Sequence, residues 1–203
     1  MKNVLILFAH PRYEYSRANR ALLTRVADLE FVTVHDLYET YPDFNINVCK
    51  EKRLLVSHDI IVWHFPLYMY SAPAMLKHWQ ELVLEHGWAH GAEGNKLRNR
   101  LVFCAITTGG TRESYTRTGF NRHSIGEFLL SFQQAASLCG MSWLPPFMVQ
   151  GTFLLSDQML ANCAAHYSLL LHRLANNDYS VEDLCGFEFS NDWLADTSRR
   201  EKP

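Results

Sequence analysis

The segment VLILFAHPRYEYSRANRALLTRV (residues 4–26) contains the unit from which the rest of the chain is predicted to be built. Residues 4–9 form a nearly continuous apolar run, which is typical of a strand covered on both faces of a parallel sheet. A polar loop follows, and then Leu22, Leu23 and Val26 recur at helical spacing, which favours an amphipathic helix. A strand, a loop and a helix in this order indicate the first half of a βαβ crossover.

Four later segments repeat the apolar run. They are residues 31–35, 60–65, 101–106 and 147–150. Helical patterns separate the strands, and this alternation predicts a parallel sheet with right-handed crossovers. Five such strands fit an α/β, flavodoxin-like doubly wound sheet in the order 2-1-3-4-5, which binds ligands at the carboxyl ends of its strands.

The composition is that of one globular domain. The chain has 203 residues, 48% of them hydrophobic, and a formal charge of −2, so no positive field indicates a nucleic-acid partner. We expect a domain over residues 1–176 and a C-terminal extension over residues 177–203, which is either loosely ordered or docked on a second subunit.

Five scattered cysteines without a C-x-x-C pair favour the reducing cytoplasm. No apolar run approaches the roughly 20 residues of a membrane span.

The loop after the first strand carries a candidate anion site. It lacks the G-x-G-x-x-G and P-loop patterns, so those two modes of phosphate binding do not apply. Ser16 precedes a helix whose apolar face begins near Ala18, and its hydroxyl and the first backbone N–H groups could hold a phosphate. Asn19 adds a side-chain donor, and His10 could donate to the same phosphate. An ordinary helix cap and a partnered loop histidine remain the alternatives.

Two further loops are predicted to meet this one. Residues 67–70 (LYMY) place aromatic and polarizable side chains after the third strand, where they could form a wall for a flat ring system. Residues 107–110 (TTGG) follow the fourth strand, and their glycines let the backbone approach a ligand closely. Strands one, three and four are neighbours in the order 2-1-3-4-5, so the three loops converge. A phosphate pocket, a ring wall and a glycine-rich ring edge together predict an FMN site.

Short motifs that carry a family resemblance are spread over residues 4–175. They are AHP followed by S-x-A-N, YPDF, HFPLYMYSAPAMLKHW, HGWAHG, TTGG and CGMSWLPPF. Together they resemble the NAD(P)H quinone reductase family, and within it the ancillary subunits of glutathione-gated bacterial potassium-efflux systems. The resemblance implies a homodimer that carries a flavin, FMN with FAD as the alternative, and passes electrons from NADH or NADPH to quinones or related electrophiles. It also implies docking on the cytoplasmic side of a membrane potassium–proton antiporter.

The resemblance also implies roles for individual residues. The flavin contacts fall on His10, Ser16, Arg17, Ala18, Asn19, Pro66, Leu67, Tyr68, Met69, Thr107, Thr108, Gly109 and Gly110. Tyr115 matches the tyrosine that the reductases place five residues after the second loop glycine, and it is the candidate catalytic residue. Where those reductases have a histidine six residues further on, this chain has Asn121, and His123 lies out of register.

Three function hypotheses follow from these observations. The chain is an ancillary subunit with reductase activity, a stand-alone cytosolic quinone reductase, or a non-catalytic flavin-binding regulatory module. Aromatic residues at 68–70, 88 and 143–147 predict either a two-fold contact that completes the flavin pocket or ordinary core packing.

Other constellations carry weaker signals. His86 and His90 lie four apart but lack a clear third metal ligand, so no metal is expected. No acidic pair ends the first strand, as a phospho-receiver would require. Cys104 lies inside an apolar strand, where burial lowers the reactivity of a thiol.

Overall fold

The predicted strands lie side by side in one parallel sheet. The computed structural model describes residues 1–200, and the sheet in that range has six strands. They are β1 (Val4–Phe8), β2 (Val32–Asp36), β3 (Ile60–Pro66), β4 (Leu101–Thr107), β5 (Ser142–Trp143) and β6 (Phe147–Val149). Their order is β2-β1-β3-β4-β5, β6 also pairs with β4, and every pairing is parallel. The predicted order 2-1-3-4-5 is confirmed.

The fifth position of the sheet is divided between two short strands. Ser142 of β5 is in register with Leu101 of β4, and Phe147 of β6 is in register with Ala105 of the same strand. Pro145 and Pro146 lie between the two pieces and have no backbone N–H to donate to the ladder. The sequence therefore predicted only the second piece.

Helices cover both faces of the sheet. They are α1 (Arg17–Val26), α2 (Leu37–Thr40), α3 (Val48–Val56), α4 (Ala74–Val83), α5 (Ile125–Leu138), α6 (Asp157–Ala175), α7 (Val181–Cys185) and α8 (Ser190–Arg200). Val4, Ile6 and Phe8 belong to the same core cluster as the apolar residues of α1 and α6. Leu5 and Leu7 belong to the cluster that includes α4 and α5. Because all five residues of β1 are buried, its apolar run is continuous.

The C-terminal segment is folded onto the domain. Leu184 of α7 and Trp193 and Leu194 of α8 are buried in the core cluster that contains α1 and α6. Phe189 is buried in the cluster on the opposite face of the sheet. The expectation of a loosely ordered extension is therefore wrong for residues 177–200, because these apolar side chains anchor it to the chain's own core. The rest of the predicted extension, residues 201–203, lies outside the described residues.

Candidate cofactor site

A cavity of about 440 Å³ lies where the loops after β1, β3 and β4 meet at the carboxyl edge of the sheet. This volume is within the usual range of small-molecule sites. The predicted flavin contacts that line it are His10, Ser16, Arg17, Ala18, Asn19, Pro66, Leu67, Tyr68, Thr107, Thr108 and Gly109. The other lining residues, which sequence reasoning missed, are Arg12, Tyr15, Thr152 and Phe153.

Two of the missed residues belong to a fourth loop. Thr152 and Phe153 follow β6, which pairs with β4 at the carboxyl half of that strand. The sequence signal was available, because a fifth strand was predicted to end at Gln150 and its following loop had to reach the same edge. The cavity is therefore enclosed by four loops rather than three.

Met69 and Gly110 are the two predicted contacts that do not line the cavity. Met69 and Tyr70 both have positive φ, 46° and 65°, in a tight turn where Tyr68 and Ser71 exchange two backbone hydrogen bonds of 3.0 Å. Positive φ at consecutive non-glycine residues is a source of backbone strain, and this turn exposes the Met69 side chain to solvent. A Cβ at Gly110 would lie 3.0 Å from the Tyr115 ring, so this glycine leaves space for Tyr115 rather than for a ligand.

Ser16 is the N-cap of α1, as the sequence predicted. Its Oγ accepts a hydrogen bond from the backbone N–H of Asn19 at 3.3 Å and another from Asn19 Nδ2 at 2.9 Å. These bonds use the two acceptor sites of the hydroxyl, so its hydrogen remains to be donated elsewhere. Together with the free N–H groups of the first helical turn, the Ser16 hydroxyl forms a donor set suited to an anion.

A buried hydrogen-bond network fixes Asn19. Its Nδ2 also donates to Thr107 Oγ1 at 3.1 Å, and its Oδ1 accepts from His64 Nε2 at 3.0 Å. Because Nε2 donates, His64 Nδ1 accepts from the Tyr167 hydroxyl, at 3.4 Å. Complete burial, with a smaller contribution from His10, lowers the pKa of His64 from 6.5 to about 3, so the ring is neutral. The network holds both Ser16 and Thr107 at the edge of the cavity. Its one signal in the sequence was His64, a histidine inside an apolar strand.

His10 is held by two partners. Its Nδ1 accepts the backbone N–H of Arg12 at 3.0 Å, so Nε2 carries the hydrogen of the neutral ring and lies 3.2 Å from the Tyr68 hydroxyl. Burial lowers the pKa of His10, opposed by the nearby charge of Glu14, and this favours the neutral form. His10 therefore links the loops after β1 and β3.

An aromatic cluster lies beside the loops after β3 and β4. The Tyr70 ring stacks on Phe128 of α5 at 5.1 Å, and the rings of Tyr115 and His123 meet Phe128 edge-on at 6.1 Å and 5.8 Å. Burial raises the pKa of Tyr115, so its hydroxyl is protonated at neutral pH. The backbone N–H of Asn121 donates to the Ser114 carbonyl at 2.9 Å. Although His123 is out of register in the sequence, the fold places its ring against Phe128, which Tyr115 also contacts.

The charges at the cavity are positive. Arg12 and Arg17 are the charged side chains among the lining residues that the structure describes. Arg17 Nη2 donates to Asp157 Oδ1 at 2.6 Å and to the Leu155 carbonyl at 3.2 Å, and so ties α1 to the loop after β6. Asp157 offsets part of the Arg17 charge, so it is Arg12 together with the N-terminus of α1 that favours an anionic group here.

The residues around the cavity fit FMN. The Ser16 hydroxyl and the N-terminus of α1 suit the phosphate, and the Leu67–Tyr68 segment offers an apolar wall for a flat ring. Gly109 lies at the cavity, where a Cβ would come within 2.6 Å of the Phe153 ring, so this glycine makes room for Phe153 beside the cavity. A doubly wound sheet with such a cavity at its topological switch point defines the flavodoxin-like class of nucleotide-binding α/β proteins.

The chain belongs to the family of proteins with a flavodoxin-like fold, whose model Flavodoxin_2 matches residues 2–171. It is 44% identical over 163 residues to the glutathione-regulated potassium-efflux system ancillary protein KefG of Cronobacter sakazakii, covering 80% of this chain and 87% of that protein. These findings confirm the family that the sequence motifs indicated.

Two solved structures are also similar. The general stress protein 14 of Treponema denticola, determined in complex with FMN, superimposes with a TM-score of 0.82 and 33% identity over 85% of this chain and 99% of that one. An NADPH-quinone reductase from P. pentosaceus gives a TM-score of 0.76 and 26% identity over 87% of this chain and 99% of that one.

His86, His90 and Cys104 do not line the cavity. The rings of His86 and His90 are 5.6 Å apart, and within residues 1–200 no three His, Cys, Asp or Glu side chains gather as metal ligands would. Burial raises the pKa of the Cys104 thiol well above its usual value, which leaves it a weak nucleophile. No helix in the described part of the chain is both long and apolar enough to cross a membrane.

Proposed function

We propose that this chain binds FMN in the cavity, passes electron pairs from NADH or NADPH to quinones or related electrophiles, and regulates a glutathione-gated potassium-efflux antiporter from its cytoplasmic face. The observation that carries the proposal is the donor set formed by Ser16 and the first turn of α1, which lines the same cavity as Leu67 and Tyr68. The 44% identity to an ancillary potassium-efflux protein supports the regulatory part.

Each part of the cavity has a task in this proposal. Ser16 donates to the phosphate, and Asn19 holds the Ser16 hydroxyl in place. Bound FMN supplies two-electron redox chemistry that the amino acids cannot provide. Tyr115 lies outside the cavity lining, beside Gly110; burial raises its pKa, so it keeps its proton at neutral pH and in this proposal offers it as a hydrogen-bond donor to the acceptor. Phe128 supports the Tyr115 ring from one side.

A non-catalytic flavin-binding module is the second candidate. The observation that favours it is Asn121, whose amide cannot act as a general acid in place of the histidine of the broader reductases. His123 contacts the Phe128 ring, as Tyr115 does, and could replace that histidine. A stand-alone reductase would show turnover without any effect on potassium efflux.

We expect the purified protein to bind FMN, to show the visible absorption of oxidised flavin, and to oxidise NADH or NADPH when a quinone is supplied. Tyr115→Phe removes the hydroxyl and is expected to lower kcat roughly tenfold or more while the Kd for FMN stays unchanged. Tyr179→Phe, at a tyrosine that contacts Lys2 away from the cavity, is the matched control. FMN binding without turnover would favour the module. Turnover with unchanged potassium efflux after gene deletion would favour the stand-alone enzyme.

We also propose that the chain forms a two-fold homodimer whose contact completes the cavity. Three large apolar side chains are exposed around the cavity mouth: Met69 (89%), Phe153 (86%) and Tyr15 (77%). Exposed apolar side chains that cluster in this way are typical of a protein–protein contact. Residues 143–147, predicted from sequence as either interface or core, are largely core, since Leu144 and Phe147 are completely buried. Trp88 is half-buried.

Sedimentation at low protein concentration is expected to give the mass of a dimer. Met69→Glu places a charge in the apolar patch and is expected to shift the protein to monomer and to lower quinone turnover. Val181→Glu, a similar change at an exposed residue of α7, is expected to alter neither. A monomer that turns over quinone at the full rate would disprove the shared site.

A further inference from the structure

The C-terminal segment completes the broken edge of the sheet. Asn191 Oδ1 accepts the backbone N–H of Met148 at 2.8 Å, and Asn191 Nδ2 donates to the Met148 carbonyl at 3.0 Å. Ser190 donates from its backbone N–H to the Pro146 carbonyl at 3.0 Å and from Oγ to the Pro145 carbonyl at 2.6 Å. These bonds pair edge groups of the interrupted fifth strand, as an additional strand would. This segment lies beyond residues 2–171, the part of the chain that the family model matches.

The same segment holds the loop after β4 through one arginine. Arg112 Nη1 and Nη2 donate to the two carboxylate oxygens of Asp192, each at 2.8 Å, and Nη2 also donates to Glu188 Oε2 at 2.9 Å. The guanidinium lies 4.6 Å from the centre of the Phe189 ring. A bidentate arginine–carboxylate pair of this kind fixes both the orientation of the guanidinium and its distance from the carboxylate, whereas a single exposed ion pair leaves the orientation free.

The loop that Arg112 anchors includes part of the cofactor site. Gly109 lines the cavity, and Tyr115 packs against Phe128 and next to Gly110. On its other side this loop is fixed by the backbone N–H of Gly151, which donates to the Gly110 carbonyl at 2.9 Å. Arg112 lies between these points, so movement of its guanidinium would be transmitted to both Gly109 and Tyr115.

We propose that residues 186–194 are a positioning element of the cofactor site, with Glu188 and Asp192 as positioning residues that act through Arg112. They do not line the cavity themselves. Phe189 is buried in the core and Asn191 is bonded to β6, so the two carboxylates are presented from a rigid base. The segment sets the place of the β4–α5 loop, and thereby the edge of the cavity at Gly109 and the approach to Tyr115. The effect on cofactor affinity rests on the proposed FMN function, whereas the effect on the loop does not.

The test is amide hydrogen exchange in the full chain, measured without and with FMN. The Glu188→Gln, Asp192→Asn double variant keeps the shape of both side chains and removes their charge. Loss of the charged fork, by which we mean the ion pairs of Arg112 with Glu188 and Asp192, is expected to raise amide exchange of residues 109–119 about fivefold and to leave β1 and β3 unchanged. FMN binding is expected to weaken by a similar factor. Arg112→Gln, which breaks the fork from its other side, is expected to give the same pattern. Glu81→Gln removes an exposed ion pair with Lys77 on α4 and is the matched control.

Two exchange results would overturn the proposal. One is unchanged exchange of residues 109–119 in both variants, and the other is a uniform rise over the whole sheet, which would indicate general stabilisation only. A loosened loop with unaltered FMN affinity would overturn the link to the cofactor site. If the wild-type chain bound no FMN, the proposed function would fail, but exchange in the ligand-free chain would still decide whether the fork positions the loop.

Discussion

Ser16→Asp is expected to abolish tight FMN binding while the fold persists. Aspartate is as good an N-cap as serine, so it can still accept the backbone N–H of Asn19 and start α1. It replaces a hydroxyl that can donate with a carboxylate that cannot, and it adds a negative charge beside the phosphate. In a partly desolvated cavity this repulsion is expected to weaken binding by about 2 kcal/mol or more, which is about thirtyfold or more in Kd. Titration of FMN, followed by its fluorescence, measures the change.

The same substitution at a second N-cap supplies the control. Ser180 caps α7 by accepting the backbone N–H of Asp183, and it does not line the cavity. Ser180→Asp is therefore expected to leave FMN affinity unchanged. Ser16→Ala removes the donor without adding a charge, and its effect is expected to lie between the wild type and Ser16→Asp. Unaltered affinity in Ser16→Asp would mean that the phosphate binds elsewhere.

The sheet could be predicted because parallel strands covered on both faces must be apolar throughout. β1, β3 and β4 are entirely buried, and their continuous apolar runs stand out from the amphipathic helices between them. Once the strand order was inferred, the loops that meet at the switch point followed from topology, without knowledge of side-chain geometry. This is why most of the cavity lining could be named from sequence.

What the sequence could not indicate depends on side-chain direction and on long-range contacts. The buried ring of His64 bonds Asn19, 45 positions away in sequence, and no local pattern signals that pairing. The loop carrying Thr152 and Phe153 follows a strand that was predicted, but its residues form no ligand-binding pattern of their own, so only topology indicated it. The C-terminal helices were missed because Phe189 and Trp193 are isolated apolar residues in a polar stretch, and their burial depends on surfaces formed by distant elements.

His64 is expected to make the fold acid-sensitive. Its pKa is about 3 in the folded chain and 6.5 without burial, so the unfolded chain binds the extra proton between these values. Because the unfolded state binds more protons, the stabilisation is complete above the unfolded pKa and is lost progressively as the pH falls toward the folded pKa. A shift of this size corresponds to a loss on the order of 5 kcal/mol in the free energy of unfolding once the pH has fallen below the folded pKa. Burial also lowers the pKa of His10, which acts in the same direction.

Urea unfolding of the ligand-free chain between pH 7 and pH 5 measures the first part of this loss, about 2 kcal/mol, since most carboxylates stay ionised in that window. His64→Gln keeps an amide that can donate to Asn19 but cannot be protonated in this range, so its free energy of unfolding is expected to depend much less on pH. A lower stability of the variant at pH 7 alone would not count, because the expected signature is the slope. His166→Gln, at an exposed position of α6, is expected to keep the wild-type slope. If His64→Gln kept that slope as well, the buried ring would not be the neutral group that holds Asn19 and, through it, Ser16.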